Sequence, residues 1–221
     1  MAPVTLGSLV LCAITFFLPL YPFSSPGALE TGGRAASASG TAEASGAPDA
    51  QRSDEELIKV TLHDLDLVDQ DGNAVKFKSD IIGDRVAVII PFYTTCTTSY
   101  PILIFMFTRL QEMLGDRLGR EVVLVSVSVD PKTDIPVRLK AFSRKQKARS
   151  GWVFLSGDRY NLGEVLLGVG VLFSSNVDDH NHIPITLVGN ARDEWRRFHG
   201  FPSPEQVLEE IDRLLKGRQE T

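Results

Sequence analysis

The chain has 221 residues, 43% of them hydrophobic and 23% charged, which is room for one domain with a conventional apolar core plus tails. With 28 acidic and 23 basic side chains the net charge is -5, which argues against a protein that coats nucleic acid. There are two cysteines, Cys12 and Cys96, and Cys12 sits in an N-terminal apolar run. The folded region then holds one thiol, which excludes an internal disulfide, a four-cysteine zinc site and a disulfide-stapled scaffold.

Leu6 to Leu20 is fifteen mostly apolar residues without a charge. A membrane span needs roughly 20, so residues 1–23 are predicted to be a signal peptide or a short membrane anchor. The preceding segment has no Lys or Arg, unlike a typical export signal. Cys12 lacks the small-residue surroundings of a lipid-attachment site and reads as an apolar membrane residue. Residues 24–54 are Gly, Ala, Ser, Thr and Pro with few large side chains. Such a stretch cannot bury enough surface to offset its ordering entropy, so it is predicted to be a disordered linker. The domain is expected over 55–221.

The domain reads as α/β. Residues 56–67 and 74–77 flank the turn-forming Asp69-Gln70-Asp71-Gly72-Asn73, which predicts an opening β-hairpin. Residues 85–92, RVAVIIPF, form an almost unbroken apolar run suited to a strand buried on both faces. Pro101 is placed for a first helical turn, and Leu103, Phe107, Leu110 and Leu114 follow at helical spacing. A second central strand is expected over 121–129 and a helix from Pro136 to about Ala148. A short strand follows over 152–155, then a helix or turn over 160–167. Strands are expected over 185–188 and 194–198. Ser203-Pro204-Glu205-Gln206 is a capping box opening a final helix with Val207, Leu208, Ile211, Leu214 and Leu215 on one face. This order predicts a central sheet with helices on both faces.

Cys96 lies between the most buried-looking strand and the next helix, where an open sheet presents residues beyond its strand ends. First-turn amides there favour the thiolate, which serves redox work or soft-metal binding. Of four histidines, His180 and His182 stand together in Asp178-Asp179-His180-Asn181-His182. Alternate residues of an extended chain point the same way, so both can face one site. A cysteine with histidines suits copper or zinc, with neighbouring carboxylates fixing the ring tautomer. His-x-His pairs also occur on surfaces without any role. His63 and His199 have no such companions. Residues 138–149 hold six basic and no acidic side chains, either a solvated helix face or a docking surface for an acidic partner or an anionic membrane.

RVAVIIPFYTTC, SYP, VVLVSVSVDPKTDIPVRLKAF, GWVFLSGD and DDHNH, in this order over 56–216, resemble the SCO/SenC family. The resemblance implies a thioredoxin-like fold with a central mixed sheet and flanking helices. It implies a membrane-tethered protein outside the cytoplasm, in the periplasm or on an inner membrane, that delivers copper during cytochrome c oxidase assembly. The partner would be an oxidase subunit or another copper or thiol protein, and the role a metallochaperone's rather than an enzyme's. The family motif is Cys-x-x-x-Cys-Pro with a distal histidine. Cys96 matches the first cysteine, Tyr100 stands at the second, and Pro101 follows. The distal histidine falls on His180 or His182, according to whether one counts from the motif or from the next strand. Cys96, His180 and His182 then form the implied copper set, one sulfur and two nitrogens, which tolerates Cu(II) better than Cu(I). A thiol–disulfide cycle inside the domain is excluded. Two alternatives stay open: a metal-free protein whose thiol forms mixed disulfides or a sulfenic acid, and a thioredoxin-fold interaction domain without chemistry.

Overall fold

A computed structural model describes residues 54–171, 184–192 and 195–217. The anchor expected over 1–23 and the linker expected over 24–54, apart from Asp54, lie outside them. Eight strands form one mixed sheet in the order β1-β8-β7-β4-β5-β6-β2-β3. The strands are β1 (Glu55–Ile58), β2 (Asp66–Asp69), β3 (Ala74–Lys76), β4 (Val86–Phe92), β5 (Val122–Ser128), β6 (Trp152–Ser156), β7 (Ile185–Gly189) and β8 (Trp195–His199). The helices are α1 (Tyr100–Leu114), α2 (Pro136–Lys145), α3 (Arg159–Gly168) and α4 (Pro204–Gly217).

β4, β5 and β6 are parallel neighbours, and β7 runs antiparallel on the other side of β4. All seven residues of β4 and of β5 are buried, which is why both read as continuous apolar runs rather than alternating ones. Alternation reappears in what each side chain touches. Val86, Val88, Ile90 and Phe92 face a cluster that includes Leu103, Phe107 and Leu110 of α1, Leu139 of α2 and Ile211 of α4. Ala87 and Ile89 face the opposite cluster with Leu162, Val165 and Leu166 of α3. Two successive right-handed crossovers that step the same way along a sheet put their helices on the same face. α1 and α2 are therefore neighbours there. Phe142 of α2 seats against Phe92 and Phe154, with centroid separations of 5.7 and 5.9 Å.

The expected hairpin is real but shorter. It is β2 and β3 with Asp69 as its turn anchor, its carboxylate accepting from the amides of Asp71 and Asn73. Glu55–Ile58 does not belong to it. β1 crosses to the far edge and pairs with β8, Leu57 opposite Arg196. A π-helical turn, Phe77–Ile82, buries Phe77, Ile81 and Ile82 and was not anticipated from the sequence. α2 ends at Lys145, three residues before the expected boundary. The capping box is present as expected: Ser203 N–H donates to Gln206 Oε1 at 2.9 Å, and Gln206 N–H to Ser203 Oγ at 3.2 Å. Among the described residues no helix is long and apolar enough to cross a membrane.

Gly151 begins the turn into β6 with φ +95°, and a Cβ there would meet the backbone nitrogen of Gly119 at 2.3 Å. Gly72 also has positive φ, +85°, but nothing lies within 4 Å of its missing Cβ. Gly72→Ala is expected to cost about 1–2 kcal/mol from backbone conformation alone. Gly151→Ala should cost about 3–5 kcal/mol, because two backbones must separate. Equal urea midpoints for the two variants would show that the close approach carries no energy.

Candidate functional site

The site grows from the C-terminal end of β4. Tyr93 to Ser99 leave the strand and feed α1, whose N1 residue is Tyr100 and whose second residue is Pro101. Cys96 is half-buried in this loop, its amide donating to the Tyr93 carbonyl at 3.3 Å. Its Sγ lies 3.7 Å from Thr98 Oγ1. Burial pushes the Cys96 thiol up, but hydrogen bonds from the Tyr100 and Thr98 amides and the Tyr93 and Thr98 hydroxyls outweigh it, and the net displacement is downward. The first-turn amide anticipated from sequence is thus that of Tyr100. Tyr93, mainly through burial and then through its bond to Cys96, is pushed up to about 12, so it stays a phenol and a donor.

Tyr100 is buried, and its own hydroxyl is raised further, first by burial and then by the Cys96 charge. A phenol held protonated is a poor metal ligand and has no disulfide chemistry. Its ring packs edge-on to Tyr93 at 5.3 Å and 86°. Here the residue at the second motif position contributes ring packing through its side chain and a hydrogen bond to Cys96 through its backbone N–H.

The loop is held from β5. Asp134, fully buried, accepts from Thr94 N–H at 3.2 Å, from Thr94 Oγ1, and from Ser128 Oγ at 2.7 Å. Ser128 Oγ in turn accepts from Asp130 N–H at 3.0 Å. Burial raises the Asp134 carboxyl against the pull of these donors. The Val-Asp-Pro-Lys-Thr-Asp stretch after β5 therefore fixes the residue two places before Cys96. Sequence inspection missed this role, although a buried-strand serine six residues before an aspartate was the available signal.

Cys96 opens into a cleft of about 470 Å³ between α1 and the end of α2, lined by Tyr93, Ile104, Phe105, Phe142, Lys145 and Lys147 among others. His180 and His182 lie outside the described residues. Among the described residues no three His, Cys, Asp or Glu side chains form a group that could hold a metal ion. Cys96 is thus the single soft donor that the described part of the site supplies.

The fold and this site define a thioredoxin-like α/β protein with one activated thiol at a strand–helix junction. The SCO1/SenC family model matches residues 54–216, and the chain belongs to that family. Solved structures share the fold. A SCO1/SenC family lipoprotein from Bacillus anthracis is 22% identical with a TM-score of 0.62, covering 72% of this chain and 98% of its own. BsSco, a member of the Sco family of cytochrome c oxidase assembly proteins in which a disulfide switch has been identified, is 20% identical with a TM-score of 0.60, covering 72% and 95%. Copper-bound ScoI of Bradyrhizobium japonicum is 22% identical with a TM-score of 0.56, covering 71% and 99%. No curated protein matches the chain.

Two predictions test the local chemistry, both in a Cys12→Ser background so that Cys96 is the one thiol. The pH midpoint of iodoacetamide alkylation should fall below that of an unperturbed thiol. Tyr93→Phe, which removes one donor worth about 1 kcal/mol, should slow alkylation at neutral pH about fivefold and move the midpoint up. An unchanged profile would mean that the phenol does not hold the thiolate. Asp134→Ala leaves the Thr94 amide and two hydroxyls without their acceptor, and should lower the unfolding free energy by about 2–4 kcal/mol. A loss below about 0.5 kcal/mol in urea titration would show that the carboxylate is not the anchor.

Proposed function

We propose that this chain is a copper-handling protein of respiratory oxidase assembly in which Cys96 is the only thiolate ligand. Three things support the reading: family membership, the copper-bound and oxidase-assembly descriptions of its structural relatives, and the depressed thiol at the motif position. One observation carries it. The register sets Ile89 opposite Leu187 and Ala87 opposite Gly189, so β7 begins at the end of the sheet where the Cys96 loop leaves β4. Pro184 is fixed there, its carbonyl accepting from Gly200 N–H at 2.7 Å. His182 and His180 are two and four residues upstream in the chain. At about 3.5 Å per residue they are tethered within reach of that end of the sheet.

The proposed ligand set is Cys96, His182 and His180. Cys96 is the only cysteine within 54–216, so the disulfide switch identified in BsSco has no internal counterpart here. Copper is cargo in this reading. The chain's own contributions are a thiol whose pKa is lowered by hydrogen bonds from the Tyr100 and Thr98 amides and the Tyr93 and Thr98 hydroxyls, and a sheet end on which it is presented. We place the protein outside the cytoplasm, held by residues 1–23 through the linker 24–54. The lipoprotein description of the Bacillus anthracis relative supports an anchored setting.

The test is an anaerobic titration of the full chain, in the Cys12→Ser background, with Cu(I) and Cu(II) against a competing chelator. One tightly bound equivalent is expected. It should weaken at least about 100-fold in Cys96→Ala and about tenfold or more in His180→Ala or His182→Ala. Equal weak binding by all four proteins would overturn copper handling. A depressed thiol pKa that persists beside it would favour the metal-free thiol reading.

A further inference from the structure

The cleft beside Cys96 has a make-up that copper ligation does not require. Its floor is apolar, from Ile104 and Phe142, and its rim includes Phe105, 65% exposed on the outward side of α1. Ile102, one turn away on the same helix, is 48% exposed. Two large exposed apolar side chains at i and i+3, one of them lining the cleft that holds Cys96, form an apolar stripe left in water.

The opposite rim is cationic. Lys145 and Lys147 line the cleft, within a stretch of twelve residues, 138–149, that carries six basic and no acidic side chains. Lys140 of that stretch is paired with Asp71. Lys145 and Lys147 have no carboxylate partner among the described residues. The chain as a whole has a net charge of -5, so this cationic rim runs against the overall balance.

Lys147 is also held in a costly conformation. Its φ of 53° is the one positive value among non-glycine residues described, at the turn where a helix end ordinarily takes glycine. It is fixed from α1: buried Gln111 donates through Nε2 to the Lys147 carbonyl at 3.3 Å and accepts from Arg149 N–H at 3.1 Å. Ala148 N–H closes the turn on the Ser143 carbonyl at 3.0 Å. A residue kept in the left-handed region by its surroundings, with its side chain at a cleft, marks a position where that side chain matters.

We infer that the α1–α2 cleft docks an acidic, apolar segment of a partner protein, so that a sulfur or metal ligand carried by that segment meets Cys96. This rests on the reading of Cys96 as the copper-carrying thiolate and adds the chemistry of the protein it exchanges with. The apolar floor takes Leu- or Phe-like side chains, and Lys145 and Lys147 pair with flanking carboxylates. A concave cleft reaches the sulfur in a way that a flat lipid surface does not.

The experiment uses the full chain in the Cys12→Ser background, without copper. The probes are short peptides carrying one cysteine activated as a 2-thiopyridyl disulfide. Cys96 thiolate attacks the peptide sulfur, a protein–peptide disulfide forms, and pyridine-2-thione leaves, so the peptide is itself the oxidant. One peptide surrounds its cysteine with Glu, Leu and Phe, a second replaces Glu by Lys, and a third replaces Leu and Phe by Ser. Rates are normalised to alkylation by neutral iodoacetamide.

The acidic apolar peptide should react at least about tenfold faster than the lysine peptide at low salt, with the ratio shrinking as salt is added. Lys145→Ala/Lys147→Ala should bring the two together, and Lys145→Glu/Lys147→Glu should reverse their order. Phe105→Ser should slow the acidic apolar peptide to the rate of its serine version. Rates within twofold of each other, or a preference that survives both charge variants, would overturn the docking surface while leaving the copper titration standing. Binding to phosphatidylglycerol vesicles without peptide selectivity would assign the face to a membrane and equally overturn it.

Discussion

The geometry around the thiol depends on one buried carboxylate. Asp134 sits past the end of β5 yet takes its hydrogen bonds from Thr94, past the end of β4, and from Ser128, the last residue of β5. β4 and β5 are parallel, so nothing in the ladder itself constrains the chain once it leaves Phe92. Asp134 supplies that constraint two residues before Cys96. Complete burial of a carboxyl is costly, and the cost is tolerable only because several donors converge on it. The turn after β5 and the loop after β4 are consequently one structure, though forty residues separate their sequences.

Tyr100 shows how one substitution can keep a site's scaffold while changing its chemistry. Its backbone N–H still caps the thiolate, and Pro101 still opens the helix behind it. The second sulfur that the family resemblance implies at this position is absent. The phenol is buried against Tyr93 with its pKa raised, which makes it a poor metal ligand, and it has no disulfide chemistry. A dithiol can hold a soft ion between two sulfurs or close on itself. A single thiolate can do neither. On the proposed reading, a bound ion draws its remaining ligands from His180 and His182 or from a partner.

The elements that could be read from sequence were those whose signal is local. The capping box at Ser203, the two unbroken apolar strands and the Asp69 turn each carry their cause within a few residues. The opening segment misled because its neighbour in sequence is not its neighbour in space: Leu57 pairs with Arg196, across nearly the whole domain. No turn residue announces such a pairing. The π-helical turn is set by burial of Phe77, Ile81 and Ile82, whose spacing has no distinctive period over six residues. At the site, Cys96 and its helix amide were legible, because a cysteine before a proline-led helix implies both. Tyr93 as donor and Asp134 as anchor were not, since each acts across a loop. The cleft was invisible for a stronger reason: it exists only once α1 and α2 lie side by side.

Local charge and net charge part company in this protein. An overall balance of -5 disfavours polyanions, and long-range steering follows that balance when salt is low. At physiological salt the Debye length is about 8 Å, so a group seated in the cleft against Lys145 or Lys147 experiences those charges rather than the molecule's sum. The Lys145 and Lys147 ammonium groups favour anionic groups entering the cleft and disfavour cationic ones. On the proposed reading this matters for transfer as well as for docking. An ion held by one sulfur and two imidazoles, without a second thiolate, is surrendered by replacing one ligand at a time. A partner segment fixed in the adjacent cleft presents the incoming ligand at high effective concentration. The substitution at Tyr100 and the basic rim of α2 then act together, one weakening the hold and the other positioning the recipient.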